Sequence, residues 1–204
     1  MQSKQRKSVS IAGNENIYLI GSSNAIGVVK SDYEKGNVID RSKRGLSVAM
    51  NSSTSYLNFV PEHSDRIRLI LVIGSNEFNN DEYSLFKTQY VESLCELFKL
   101  GYYNHQILVV LPMTRGSDAS LYSIQLRKMR ELKIGLKFLK IASVCWDDLL
   151  PIGFNRKRSL FGKRDTQLKR FVHYSGKVKN VLADFIENVV STGFDESRLK
   201  MLKE

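Results

Sequence analysis

The sequence predicts an α/β protein, a flavodoxin-like three-layer α/β/α sandwich with a five-stranded parallel sheet. Two observations carry that expectation. Short, continuous apolar runs at Ile17–Ile20, Ile67–Ile73, Gln106–Pro112 and Lys140–Trp146 lack the alternation of a half-exposed strand, as strands buried on both faces must. Longer stretches with apolar residues at helical spacing fall between or after them, and strands alternating with helices mean a parallel sheet covered on both sides by right-handed crossovers.

In order along the chain, residues 1–14 are polar and Lys-rich and read as a flexible basic lead. The run Ile17–Ile20 ends at Gly21, and Ser22-Ser23-Asn24 then lead into 25–30. That pattern reads as a buried strand turning sharply into a helix, with Ser23 at the carboxyl end of the strand, where open α/β sheets place ligands. A second strand falls near Asn37–Asp40, followed by the basic turn Asp40-Arg41-Ser42-Lys43-Arg44-Gly45. The third is Ile67–Ile73, stopping at Gly74. Asn79 with Glu82 offers a capping box for a helix carrying Tyr83, Phe86, Tyr90, Leu94, Leu97 and Phe98, ended by Gly101. A fourth strand precedes Pro112. A long helix opens near Ser117 or Asp118, with Leu121, Met129, Leu132, Leu136 and Leu139 on one face. The fifth strand reaches Trp146, and Ser175 caps a last helix with Val178, Val181, Leu182, Phe185, Ile186 and Val189 inward. The domain is read as 15–192, with 193–204 a tail and 151–172 a long basic insertion.

With 204 residues the chain can bury one substantial core. Lys and Arg total 31 against 21 Asp and Glu, a net charge of +10, which favours a polyanionic partner, either nucleic acid or an anionic membrane surface. Cys95 and Cys145 lie in apolar runs and read as buried, reduced thiols of a cytoplasmic protein. No apolar run has the length of a membrane span. His63 and His105 read as solvated loop residues, and no Cys/His spacing suggests a metal site or a cofactor.

Ser23, Gly45, Asn76 and His173 each follow a strand or precede the last helix. Their order resembles the four signature blocks of the SGNH hydrolases, over residues 15–190. The resemblance implies a nucleophilic Ser23 and His173 as its base. Backbone N–H groups of Ser23 and Gly45 and the Asn76 amide would form the oxyanion hole, because a tetrahedral oxyanion needs preorganised donors. The same residues also serve as a turn cap and as hydrogen-bonded loop ends. Two positions depart from the family pattern. Gly-Asp-Ser is here Gly21-Ser22-Ser23, and the aspartate expected three residues before the histidine is Arg170. Losing that acid costs about 10⁴ in kcat in serine proteases, and a neighbouring cation disfavours an imidazolium. The sequence is therefore read as a non-catalytic relative with a vestigial site at Ser23, Gly45, Asn76 and His173, the alternative being an active esterase on Ser23 and His173.

Between 155 and 170, Arg156, Lys157, Arg158, Lys163, Arg164, Lys169 and Arg170 face Asp165 alone, a net of +6, with Phe154, Phe161 and Phe171 interleaved. Arg41, Lys43 and Arg44 form a second cluster, and Lys177 and Lys179 extend the first into the last helix. Cations that follow phosphates, with rings that stack on bases, suit single-stranded RNA. On this surface the chain also resembles the carboxyl-terminal domain of the Oskar family of insect germ-plasm organisers. That resemblance implies a monomeric domain recruiting messenger RNA to cytoplasmic ribonucleoprotein granules, alongside other germ-plasm proteins. A protein-interaction scaffold whose basic loop docks acidic partners is a further alternative.

Overall fold

Ile17, Leu19 and Ile20 are at most 3% exposed, and a run buried on both faces is stable only inside a sheet. It forms β1, Asn16–Gly21. The computed structural model describes residues 15–29, 38–75, 83–114, 119–151, 160–161 and 173–192. The lead, the tail, Asn76, the 79–82 cap and every cation from Arg156 to Arg170 lie outside them.

β1 pairs in parallel with β2 (Val38–Asp40) on one side and β3 (Ile67–Val72) on the other. β4 (Ile107–Leu111) and β5 (Ala142–Cys145) complete a five-stranded sheet of order β2-β1-β3-β4-β5. Helices α1 (Tyr83–Lys99) and α2 (Ala119–Phe138) follow β3 and β4. A four-residue helical turn, α3 (Trp146–Leu149), follows β5, and α4 (Gly176–Thr192) ends the described chain.

The side-chain period of two sorts the strands between two cores. Leu69, Leu71, Ile107, Val109 and Leu111 meet Tyr90, Leu94 and Leu97 of α1 and Met129, Leu132 and Leu136 of α2. Leu19, Ile70, Val72, Leu108 and Val110 meet Val178, Leu182, Phe185, Ile186 and Val189 of α4. The predicted three-layer sandwich is therefore the observed one, with α1 and α2 on one face and α4 on the other.

Some expectations need correction. No helix follows β1 within the described residues. Residues 23–27 form turns, with Ala25 N–H donating to the Ser22 carbonyl (2.9 Å) and Val28 N–H to that of Ala25 (3.0 Å). Gly27, at φ +76°, leaves the helical region altogether. β4 begins only at Ile107 because Gln106 is turned inward, its amide donating to the carbonyls of Ser64 (3.0 Å) and Ile67 (2.9 Å). His63 is not solvated: its ring packs edge-on against Tyr102 at 5.2 Å, beneath Gly101. His105 is exposed and stacked on Tyr103. Both cysteines are free, with Cys145 buried and Cys95 only half-buried.

Candidate active site

All five strands are parallel, so their carboxyl ends share one edge, and Ser23 stands at that edge in the turn after β1. The turn is tight. A Cβ on Gly21 would collide with that of Ala25 and press on Val72 at 3.1 Å. Ser23 itself is half-buried, while its neighbours Ser22 and Asn24 are buried at 0% and 4%.

Buried polar groups need partners, and those two neighbours find theirs beside the other site residues. Ser22 Oγ is hydrogen-bonded to Ser75 Oγ at 2.8 Å, so β1 and β3 are tied at their ends, one residue before Ser23 and one before Asn76. Asn24 Oδ1 accepts the Tyr174 N–H at 2.9 Å, one residue beyond Ser23 and one beyond His173. The polypeptide is thus stitched on both sides of Ser23 to the segments that carry Asn76 and His173. His173 is exposed, and among the described residues no hydrogen bond joins it to Ser23. Catalytic hydrogen bonds in unliganded sites are commonly long and tighten only around substrate.

Tyr174 is the pillar beneath His173. Its hydroxyl accepts the Met113 N–H at 2.9 Å, and Trp146 meets its ring edge-on at 4.5 Å. Burial, above all, holds the phenol well above its ordinary pKa, and the charge of Asp147 adds to the effect. That carboxylate accepts from the Thr114 N–H (2.6 Å) and hydroxyl (2.5 Å), tying the end of β4 to the start of α3.

Lys179 supplies a third stitch. Its ammonium donates to the Ile26 carbonyl at 2.8 Å and to that of Ser23 at 3.4 Å. The lysine thus holds α4 against the turn that carries Ser23. Burial lowers its pKa. Lys179, read from the sequence as an extension of the basic cluster, is half-buried and tied to this turn.

Gly45 lies exposed in the turn after β2 at φ +79°. That turn is held against the end of β1 by the Lys43 N–H, which donates to the Gly21 carbonyl at 2.9 Å. Arg41 is half-buried over the Tyr18 ring (4.6 Å) and donates to the Phe59 carbonyl at 3.0 Å. The Lys43 ammonium lies over the Phe59 ring at 5.3 Å, and Arg44 is exposed. Phe161, expected as a stacking ring, is half-buried against Tyr174 instead.

Among the described residues no group of three His, Cys, Asp or Glu could hold a metal ion, and no helix is long and apolar enough to cross a membrane. Of the candidate residues named from the sequence, Ser23, Gly45 and His173 lie among the described residues; the stitches from Ser22, Asn24 and Lys179 were not foreseen. A polar pair flanking Ser23 in an otherwise apolar segment was their only local signal.

No family model and no curated protein matches this sequence. Solved structures do match. A candidate acylhydrolase from Bacteroides fragilis superposes at TM-score 0.57 with 12% identity, covering 87% of each chain. The carbohydrate acetylesterase Est24 of Sinorhizobium meliloti gives 0.56 at 11% identity, over 87% of this chain and 99% of its own. The catalytic domain of peptidoglycan O-acetyltransferase A from Streptococcus pneumoniae gives 0.51 at 18%, over 87% and 93%. These relatives are enzymes of acyl transfer by name, and they overturn the reading of the chain as a non-catalytic domain. That reading rested on two sequence positions, Ser22 and above all Arg170, which say nothing about groups that other strands bring to the same edge. By its sheet order, its layers and these superpositions, the chain has the SGNH hydrolase-like fold.

Proposed function

We propose that the chain is an acyl-ester hydrolase. The observation that carries this reading is the Asn24–Tyr174 hydrogen bond, which fixes the backbone beside Ser23 to the backbone beside His173. In the proposed reaction, Ser23 Oγ attacks the ester carbonyl while His173 accepts its proton, and the tetrahedral oxyanion is held by the N–H groups of Ser23 and Gly45 and by the Asn76 amide. His173 returns the proton to the departing alkoxide. Water then repeats the sequence on the acyl-enzyme and releases the acid.

The test is covalent labelling by a fluorophosphonate together with turnover of p-nitrophenyl acetate. Both are expected in the wild-type protein, both vanish in Ser23→Ala, and labelling falls steeply in His173→Ala. Labelling that survives Ser23→Ala overturns the assignment.

The exposed Arg44, beside Lys43 on the edge that carries Ser23, favours a second reading: binding of messenger RNA through Arg41, Lys43, Arg44 and the 156–170 segment, in the manner of the Oskar family, in cytoplasmic granules. Filter binding to single-stranded RNA would fall steeply with salt, and charge reversal of Arg44 and Arg158 would weaken it. Binding insensitive to both rejects it.

A further inference from the structure

The outer side of α2 does not match its inner side. Met129, Leu132 and Leu136 are buried, yet Ile134 and Phe138, one turn apart, are 69% and 86% exposed. A phenylalanine exposed to that extent projects from the surface and packs on almost nothing. The helices run opposite to the parallel strands they connect, so the carboxyl ends of α1 and α2 meet the amino edge of the sheet, away from Ser23. Leu100 (52%) and Tyr103 (56%), in the turn between α1 and β4, share that edge.

Cations outnumber acids along this stretch: from 127 to 140 the one acid is Glu131, half-buried and paired with Arg127 and Lys87. The exposed charged residues from 127 to 140 are Arg127, Arg130, Lys137 and Lys140. Arg127 is engaged by Glu131 at 3.3 Å, and half-buried Lys133 by Asp148 at 3.4 Å. Arg130 stands one turn before Ile134, Lys137 next to Phe138, and Lys140 just past the end of the helix, all exposed.

We infer that this face, exposed Ile134 and Phe138 with the exposed cations Arg130, Lys137 and Lys140 at the same helix end and Leu100 and Tyr103 on the same edge of the sheet, docks on the surface of an anionic lipid bilayer. Protruding apolar side chains with lysine and arginine nearby match the acyl boundary and the headgroups of such a surface, and an aromatic phenol suits the interface between them. A second copy would bring like charges together in a chain of net charge +10. Single-stranded RNA would stack on Phe138 and Tyr103 but leave Ile134 and Leu100 without a partner. The inference does not rest on the hydrolase reading, since it concerns the opposite edge of the sheet.

Co-sedimentation of the full chain with vesicles of phosphatidylcholine alone, and with phosphatidylserine added, tests it. Binding is expected to the anionic vesicles, to fall with salt, and to be weak on phosphatidylcholine. The double change I134S and F138S is expected to weaken binding about tenfold or more. Charge reversal at Lys137 and Lys140 is expected to weaken it by at least about 25-fold, at about fivefold per cation removed. These side chains are exposed, so far-ultraviolet circular dichroism should not change, and neither should turnover of p-nitrophenyl acetate. Three results each overturn the proposal: no sedimentation with anionic vesicles, sedimentation indifferent to both variants, or a wild-type dimer that I134S/F138S turns into a monomer. So does loss of RNA binding in the variants while vesicle binding persists.

Discussion

Asn24 is a small residue with a large assignment. It is 4% exposed, and its side-chain oxygen accepts the main-chain N–H of Tyr174, itself 8% exposed. Replacing it with alanine leaves that N–H unpaired where water does not reach, at a cost of about 1–3 kcal/mol. Asn24→Ala is thus expected to lower the urea midpoint with an unchanged slope. It should also slow fluorophosphonate labelling more than the stability loss alone explains, because the tie between the Ser23 and His173 segments is cut. Equal labelling rates per folded molecule would show that the bond only stabilises. At this scale the sequence could name candidates but not their ties. Ser23, Gly45 and His173 drew attention because chemistry restricts residue types where a strand ends or a helix begins at a sheet edge. The partners of Ser22, Asn24 and Lys179 did not, because each bond joins residues 53 to 156 positions apart, and no local pattern encodes such pairings.

Two helices show how elements end. After α1, Gly101 takes φ +96°, with its own N–H donating to Phe98 and that of Tyr102 to Leu97, both at 3.0 Å. After α2 the same pair of bonds recurs, Lys140 N–H to Lys137 (3.1 Å) and Ile141 N–H to Leu136 (2.9 Å), but the left-handed position, φ +54°, holds a lysine. Glycine ends such motifs without steric cost, whereas a Cβ there costs about 1 kcal/mol. Lys140→Gly is therefore expected to raise stability by about 0.5–1 kcal/mol, read as a higher thermal midpoint. A lower midpoint would show that the lysine side chain contributes more than its backbone loses. The first stop was legible from glycine alone. The second was not, since Lys140 and Ile141 read as the start of β5, which begins only at Ala142. The helix expected after Gly21 failed for a related reason: a tight turn with Gly27 at φ +76° carries the same Ser-Ser-Asn signature as a helix start.

For the whole molecule, four of the five strands and the helices that cover them followed from apolar runs and helical periodicity, as the buried runs Ile67–Val72 and Ile107–Leu111 show, whereas β2 is short and exposed at Ile39 and Asp40. The core they build holds tyrosines whose ionisation it opposes. Tyr102 is pushed up to about 12, mainly by burial, with Tyr18 adding and Arg41 opposing, and burial raises Tyr56 and Tyr174 as well. In the unfolded chain these phenols lose their protons near pH 10. Above that value the unfolded state binds fewer protons than the folded one, so stability is full below about pH 10 and declines as pH rises toward the folded values. Urea midpoints measured from neutral pH upward should be level until about pH 10 and then fall. A near-ultraviolet titration should show part of the tyrosine absorbance change only on unfolding. A midpoint level throughout this range would contradict the burial described for these rings.

The Asn24–Tyr174 bond also fixes when the site can exist during synthesis. Its two residues lie 150 positions apart, a delay of about 8–30 s on a ribosome adding about 5–20 residues per second. Through that interval β1 can pair with β2 and β3, but the sheet face that α4 will cover, with Leu19, Ile70, Val72, Leu108 and Val110, stays wet. A nascent chain stopped before Tyr174 thus exposes an apolar sheet face and leaves Asn24 without the N–H it accepts. The last of the described helices, α4, thus closes this face of the core as the Asn24–Tyr174 bond forms.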